Sequence, residues 1–353
     1  MKEYYFVKHF LVSSLAFMLA ILLYSCNPNH NNHSKSIESV YNPLNDTLLF
    51  APGRWTLEGV YGAFFSPDNQ WISAGCGNGQ MKIYNRHTLQ EHCNIRFHKG
   101  PAHSTLFSAD SRWMISSSYD SSVAIFNVAD CAMGRVNHQL NKGTYTAIFN
   151  NRGNQYAACG GDSAATVFDL KTDSVLFNFK HSNAVHFVWY SDNDQYLATA
   201  CEDGLARVFD VQNGGALVAE LKGHIGPVYC VVIDQQNEWV VTVGNDKTVR
   251  LWDLKTSRLL NTMRGHTDVT FVALFSPDKK LIGSCSADHT IRLWETTTGK
   301  PIGVLRGHTG ILSSLHFSPD GTTLLSGSMD GTIRLWDVAT QNNTHTVRVA
   351  DLP

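Results

Sequence analysis

Charge is scarce in this 353-residue chain: Asp, Glu, Lys and Arg supply 16% of it, and the formal net charge is -2. No stripe of Lys and Arg offers a track for phosphates, which argues against nucleic acid as a partner. Helical periodicity is missing too. No long stretch repeats its apolar residues every 3.6 positions, whereas short β-favouring runs abound, so the chain reads as all-β. CxxC pairs and zinc-ligand spacings do not occur among its eight cysteines. Setting Cys26 aside leaves Cys76, Cys93, Cys131, Cys159, Cys201, Cys230 and Cys285, an odd number that cannot pair fully and that reads mostly as small buried apolar residues. Long hydrophobic runs are limited to one, Phe10 to Tyr24. Its fifteen residues fall short of the roughly 20 that span a bilayer comfortably.

That run follows Lys2 and Lys8 and stops at "Leu23-Tyr24-Ser25-Cys26", the layout of an export signal with a small residue before a cysteine. The four residues resemble the lipobox of bacterial lipoproteins, with Tyr24 unusual at its position. The resemblance implies that residues 1–25 are a lipoprotein-type signal peptide and that Cys26 is the lipidation site. Residues 26–53 would then form a polar tether. An ordinary cleaved signal and an uncleaved anchor are the alternatives. The expected location is the bacterial cell envelope, lipid-anchored to a membrane and periplasm-facing. His30 and His33 read as solvated residues of the tether rather than metal ligands.

Beyond residue 53 the chain repeats itself. "GTIRLWD" at 331–337 recurs as "HTIRLWE" at 289–295 and "KTVRLWD" at 247–253, with weaker copies upstream. The aromatic residue of each copy falls at Tyr84, Phe126, Phe168, Phe209, Trp252, Trp294 and Trp336, at successive gaps of 42, 42, 41, 43, 42 and 42 residues. Other columns keep the same register. Asn78, Asp120, Asp162, Asp203, Asp246, Asp288 and Asp330 lie six residues before the aromatic. His98, His181, His224, His266 and His308 precede five of the aromatics, and Ser116, Thr199, Thr242, Ser284 and Ser326 stand between. Short alternating runs broken by "FSPD" turns complete each copy.

This pattern resembles the WD-repeat family, and it covers residues 54–345. The resemblance implies an all-β, seven-bladed β-propeller of four-stranded antiparallel blades. It also implies that His, hydroxyl, Asp and Trp form a buried structural network. Complete sets would be His224-Thr242-Asp246-Trp252, His266-Ser284-Asp288-Trp294 and His308-Ser326-Asp330-Trp336. Two shorter ones would be His98-Ser116-Asp120 and His181-Thr199-Asp203. Repetition at the structural period speaks against a catalytic triad, which a hydrolase needs only once. Either Leu48-Leu49-Phe50 or the tail at residues 346–353 would supply the outer strand of the last blade.

In the resembling family one face binds partners through residues just before the turn Asp and just after the His. Those slots make Tyr119, Glu202, Asn245, Met329, Lys99, Ile225, Val269 and Ile311 the candidate partner-binding residues, although several could simply cap the channel. The expected function is a non-enzymatic scaffold, monomeric and without cofactor or metal, that presents a propeller face to a protein or peptide. The alternative is a small-ligand sensor or hydrolase-like enzyme of the cell envelope centred on the channel. Such a channel should gather charged or His groups outside the repeated set, and only Glu202 and Lys99 suggest themselves.

Overall fold

The computed structural model describes residues 56–140 and 142–349. Every regular element among them is a strand, numbered here β1 to β28. The strands form seven antiparallel sheets of four, each built from strands consecutive in sequence. The fold is a seven-bladed β-propeller. Blade 1 comprises β1 (Val60–Phe65), β2 (Trp71–Cys76), β3 (Gln80–Asn85) and β4 (Glu91–Arg96). The first strands of the later blades are β5 (Ala102–Phe107), β9 (Thr144–Phe149), β13 (Val185–Tyr190), β17 (Val228–Ile233), β21 (Thr270–Phe275) and β25 (Leu312–Phe317).

Burial falls from the first strand of a blade to the fourth. All six residues of β17, VYCVVI, are buried, whereas β28 (Asn343–Arg348) is exposed at nearly every position. First strands are covered on both sides by neighbouring blades, so their sequences run apolar without strict alternation. Fourth strands are free edges and carry polar residues that discourage further pairing. The "FSPD" turns lock by one device: Ser66, Ser276 and Ser318 each donate to the Asp two residues on, at 2.5, 2.7 and 2.6 Å.

Among the described residues the ring closes without strand exchange. β28 pairs with β27 (Thr332–Asp337), placing Val347 opposite Ile333 and Thr346 opposite Arg334. The C-terminal segment therefore supplies the outer strand of blade 7, starting three residues before the expected tail at 346. Leu48-Leu49-Phe50 lie outside the described residues. Blades 1 and 7 then join through side chains. Val60, Ala63 and Phe65 share a core with Leu325, Ile333 and Leu335. Ser313 donates to the Val60 carbonyl (2.5 Å), and the Phe65 N–H donates to His316 Nδ1 (3.1 Å). Gly327 suits this seam because a Cβ there would lie 2.5 Å from Ser314 Oγ and 2.9 Å from Val60.

Candidate functional site: blade turns and central channel

The repeated polar residues meet inside blades 5, 6 and 7. In blade 7, His308 Nδ1 lies 2.8 Å from Asp330, its Nε2 lies 2.8 Å from Ser326 Oγ, and the Trp336 indole donates to that same Oγ at 2.8 Å. An ionised carboxylate only accepts, so Nδ1 carries the proton and Nε2 is the acceptor. Ser326 must then donate to His308 while it accepts from Trp336. Blade 6 repeats this with His266, Asp288, Ser284 and Trp294, and blade 5 with His224, Asp246, Thr242 and Trp252, all at 2.8 to 2.9 Å.

The chain of donors has the polarity of a catalytic triad but not its access. Ser326 is fully buried and its hydroxyl is already engaged twice. Burial alone would raise the Asp330 carboxyl. Bonds from His308, Thr332 and the Thr309 N–H outweigh that and hold it well below the usual carboxylate range. Each glycine before these histidines makes room for the blade's own third strand: a Cβ on Gly307 would lie 2.6 Å from the Arg334 guanidinium.

Blades 2 and 4 depart from the pattern. In blade 2, His98 reaches Ser116 and Ser122 at 2.8 Å, while Asp120 stands back at 3.5 Å from the ring and binds Ser122. Phe126 replaces Trp and supplies no donor. In blade 4, His181 Nε2 meets Thr199 at 2.9 Å, but Nδ1 turns to the Phe179 carbonyl at 3.0 Å. Asp203 instead accepts from Ser182 and Arg207. The expected His181-Thr199-Asp203 set is thus incomplete. Leu205 stands where blades 2, 5, 6 and 7 have a Ser or Thr, so no hydroxyl draws the carboxylate toward the imidazole.

The eight candidate partner residues divide. Met329 and Ile311 are buried and pack with Tyr61 and Ala287, against which Tyr119 and Val269 also rest. They plug one end of the channel. Ile225 is 77% exposed, Lys99 is exposed, and Glu202 and Asn245 are half-buried. Burial pushes the Glu202 carboxyl up. Cys26 lies outside the described residues.

The channel holds groups that the motif columns do not reveal. Each first strand carries a one-residue bulge near its start, where the register against the second strand slips. The extra residues are Tyr61, His103, Tyr145, His186, Tyr229, Phe271 and Ser313, and all of them line the channel. A bulge re-aims a side chain, and here it does so at the same place in every blade. These residues sit 23 positions before the repeat aromatic in every copy, so the column was readable. Burial drives His103 down to about 4 and His186 down to about 3, leaving both neutral near pH 7. His103, His186 and His316, with Asp192, Asp234 and Lys279, correct the expectation that only Glu202 and Lys99 bring ionisable groups to the channel; neither of those two is among its lining residues.

The cysteines are mostly buried and unpaired, as expected, with one pair the exception. Cys93 on β4 and Cys131 in the turn that follows β7 (Val123–Asn127) form a disulfide joining blades 1 and 2, with Cα atoms 5.8 Å apart. The other described cysteines are free and buried. A ring nitrogen of His92 lies within 4.8 Å of both sulfurs. With the sulfurs bonded to each other and His92 Nε2 on the Val128 carbonyl at 2.9 Å, these three present no thiolate set to a metal.

Comparison with known proteins agrees with this architecture. The family model "WD domain, G-beta repeat" matches residues 54–85, 86–127, 174–210, 215–253, 257–295 and 299–337. It passes over blade 3, which, like blade 1, lacks the His and the strand hydroxyl. Among relatives, Protein tipD of Dictyostelium discoideum is 32% identical over 126 residues, covering 35% of this chain and 20% of that protein. The LEC14B homolog of Prunus armeniaca is 24% identical over 221 residues, 56% of this chain and 46% of that one. The human serine-threonine kinase receptor-associated protein is 28% identical over 110 residues, 31% of each. The chain spans less than half the length of these relatives.

Proposed function

The chain belongs to the WD-repeat family, and from that premise we propose that it is a non-enzymatic platform for protein partners, held through a lipid on Cys26 at a bacterial envelope membrane and facing the periplasm. The observation that carries the partner reading is Ile225. Its side chain is 77% exposed while its backbone N–H is pinned to Asp246 at 3.2 Å. An apolar side chain presented to solvent, next in sequence to Gly226, whose position abuts the Asn245 side chain, supplies an apolar contact beside a polar group, as interfaces do. A relative whose name describes association with a receptor supports the same reading. The Cys93–Cys131 disulfide supports export, because such bonds persist in oxidising compartments.

The test is a photoreactive residue placed at position 225 and, separately, at Val175, which is 50% exposed on the fourth strand of blade 3. Crosslinking in cells should give a discrete adduct from 225 alone, and Cys26→Ser should diminish it by releasing the chain from the membrane. Equal, diffuse adducts from both positions would rule this face out as the docking surface.

A further inference from the structure

The seam between blades 1 and 2 gathers chemistry that neither the channel nor the partner face uses. On β4, Cys93 pairs with Ile83 and Glu91 pairs with Tyr84, so His92 is the extra residue of a bulge. Neighbours in a strand ordinarily point to opposite faces, and a bulge re-aims one of them. Here a His92 ring nitrogen and the sulfurs of Cys93 and Cys131 all lie within 4.8 Å of one another. His92 is exposed, Cys131 half-buried and Cys93 buried. The cluster is therefore reached from solvent on its His92 and Cys131 side.

Two features hold the three groups together apart from the disulfide. His92 Nε2 donates to the Val128 carbonyl of blade 2 at 2.9 Å, and the ring lies 4.5 Å from that of Trp71. A neutral imidazole bonded in this way keeps a lone pair on its other nitrogen, the arrangement that metal-binding histidines take. The seam itself needs no covalent bond. Between blades 2 and 3, Asp173 takes the place of Cys131 and accepts from Arg135 at 2.8 Å; between blades 5 and 6, Asn261 donates to the Thr297 carbonyl at 3.1 Å. Two thiolates and an imidazole form a soft donor set that suits Zn(II) and Cu(I), whereas Mg(II) and Ca(II) take oxygen ligands. Among the described residues no further His, Cys, Asp or Glu joins the group. Three protein donors leave a tetrahedral ion one position for solvent.

We propose that Cys93, Cys131 and His92 form a redox-gated site for a thiophilic d10 metal ion, Zn(II) or Cu(I). As a disulfide the pair holds no metal. An external dithiol attacks Cys131, the more exposed of the two, and releases Cys93; its second thiol then frees Cys131 and leaves the reductant as a disulfide. Two electrons and two protons pass to the pair. Metal binding releases both protons as the two thiolates and the neutral imidazole close on the ion. The site draws on neither the partner face nor Cys26.

The test takes the full chain, oxidised or reduced with a phosphine under argon, and titrates it with Zn(II) and separately with Cu(I) against a chromophoric chelator. The reduced chain should take up one equivalent and the oxidised chain none; saturation by only one of the ions names the metal. Co(II) standing in for Zn(II) should show thiolate-to-metal charge transfer. Cys93→Ser with Cys131→Ser should abolish uptake, and His92→Gln should weaken it at least tenfold. If the serine variant fails to fold, shifts of the His92 ring protons on adding the first equivalent of Zn(II) or Cu(I) to the unaltered reduced chain decide the matter. No uptake by the reduced chain, uptake matched by the oxidised chain or the serine variant, or binding indifferent to His92→Gln would each overturn the proposal and leave the pair a structural staple.

Discussion

In blade 7 the side chains of His308, Ser326, Asp330 and Trp336 close one buried run of hydrogen bonds. Blade 3 fills the same four slots with Leu140, Ala158, Asp162 and Phe168. Both nevertheless form four-stranded sheets with the same bulge in the first strand. Blade 3 packs instead of bonding. Tyr156 stacks on Phe168 at 4.9 Å, and its hydroxyl ties Asn137 to Asp173. Blade 1 also lacks the network and is stapled to blade 2 by Cys93–Cys131. Strand patterning and turn positions therefore suffice to build a blade. The network adds stability to blades 5, 6 and 7, while blades 1 to 4 rely on aromatic packing, partial networks and one covalent link.

The largest way to stress that difference is acid. His103, His186 and His316 are pulled by burial to about 4, 3 and 4. Between those values and the unfolded value near 6.5, the unfolded chain binds more protons than the folded one. Stability is then full above about pH 6.5 and falls as pH drops, by about 1.4 kcal/mol per pH unit for each histidine. The depressed Asp246, Asp288 and Asp330 act later, losing their contribution only below about pH 4. Urea melts at pH 7 and 5 should differ by several kcal/mol, and His186→Phe should remove about a third of the slope. Coincident melts would show that these imidazoles are not neutral and buried.

Next in size is the disulfide. It closes a loop 38 residues apart in sequence, and removing such a bond costs about 2–4 kcal/mol. Cys93→Ser with Cys131→Ser should lower the melting temperature and raise amide exchange first in blades 1 and 2. Uniform loss over all blades would deny that the staple serves the weaker half. Asp330→Ala should cost about 1–3 kcal/mol because it strands the His308 N–H in a buried site. Asp162→Ala removes only a 3.3 Å bond from the Ala164 N–H and should lie within about 0.5 kcal/mol of the parent. Equal losses from the two would erase the distinction between the blades.

Much of this was legible in the sequence, for reasons that mark the limit. The blade count follows from one aromatic per copy, and the networks of blades 5 to 7 follow from columns of chemically distinctive residues. The channel column escaped notice because Tyr61, His103, Phe271 and Ser313 share no chemistry. What unites them is a bulge, a feature of pairing that a lone strand does not display. Cys93 and Cys131 escaped because their proximity arises between blades, where one repeat's fourth strand meets the next repeat's turn. Closure by residues 343–348 required knowing how the chain ends pair, and both ends offered a β-favouring run.

The smallest prediction is the most specific. Blade 4 has His181, Thr199 and Asp203 but leaves the first and last unlinked, and the missing part is a hydroxyl at Leu205. In blade 7 the corresponding Thr332 donates to Asp330 at 2.6 Å and approaches His308 at 3.4 Å. Leu205 is only half-buried, so replacing it forfeits little apolar contact. Leu205→Thr should let Asp203 turn to the imidazole and gain about 0.5–1 kcal/mol, the net worth of one added hydrogen bond. A downfield Nδ1 proton on His181, matching those of His266 and His308, would report the new bond directly. If that resonance fails to appear while the strand pairing is intact, then Arg207 and Ser182, rather than the absent hydroxyl, hold the carboxylate away.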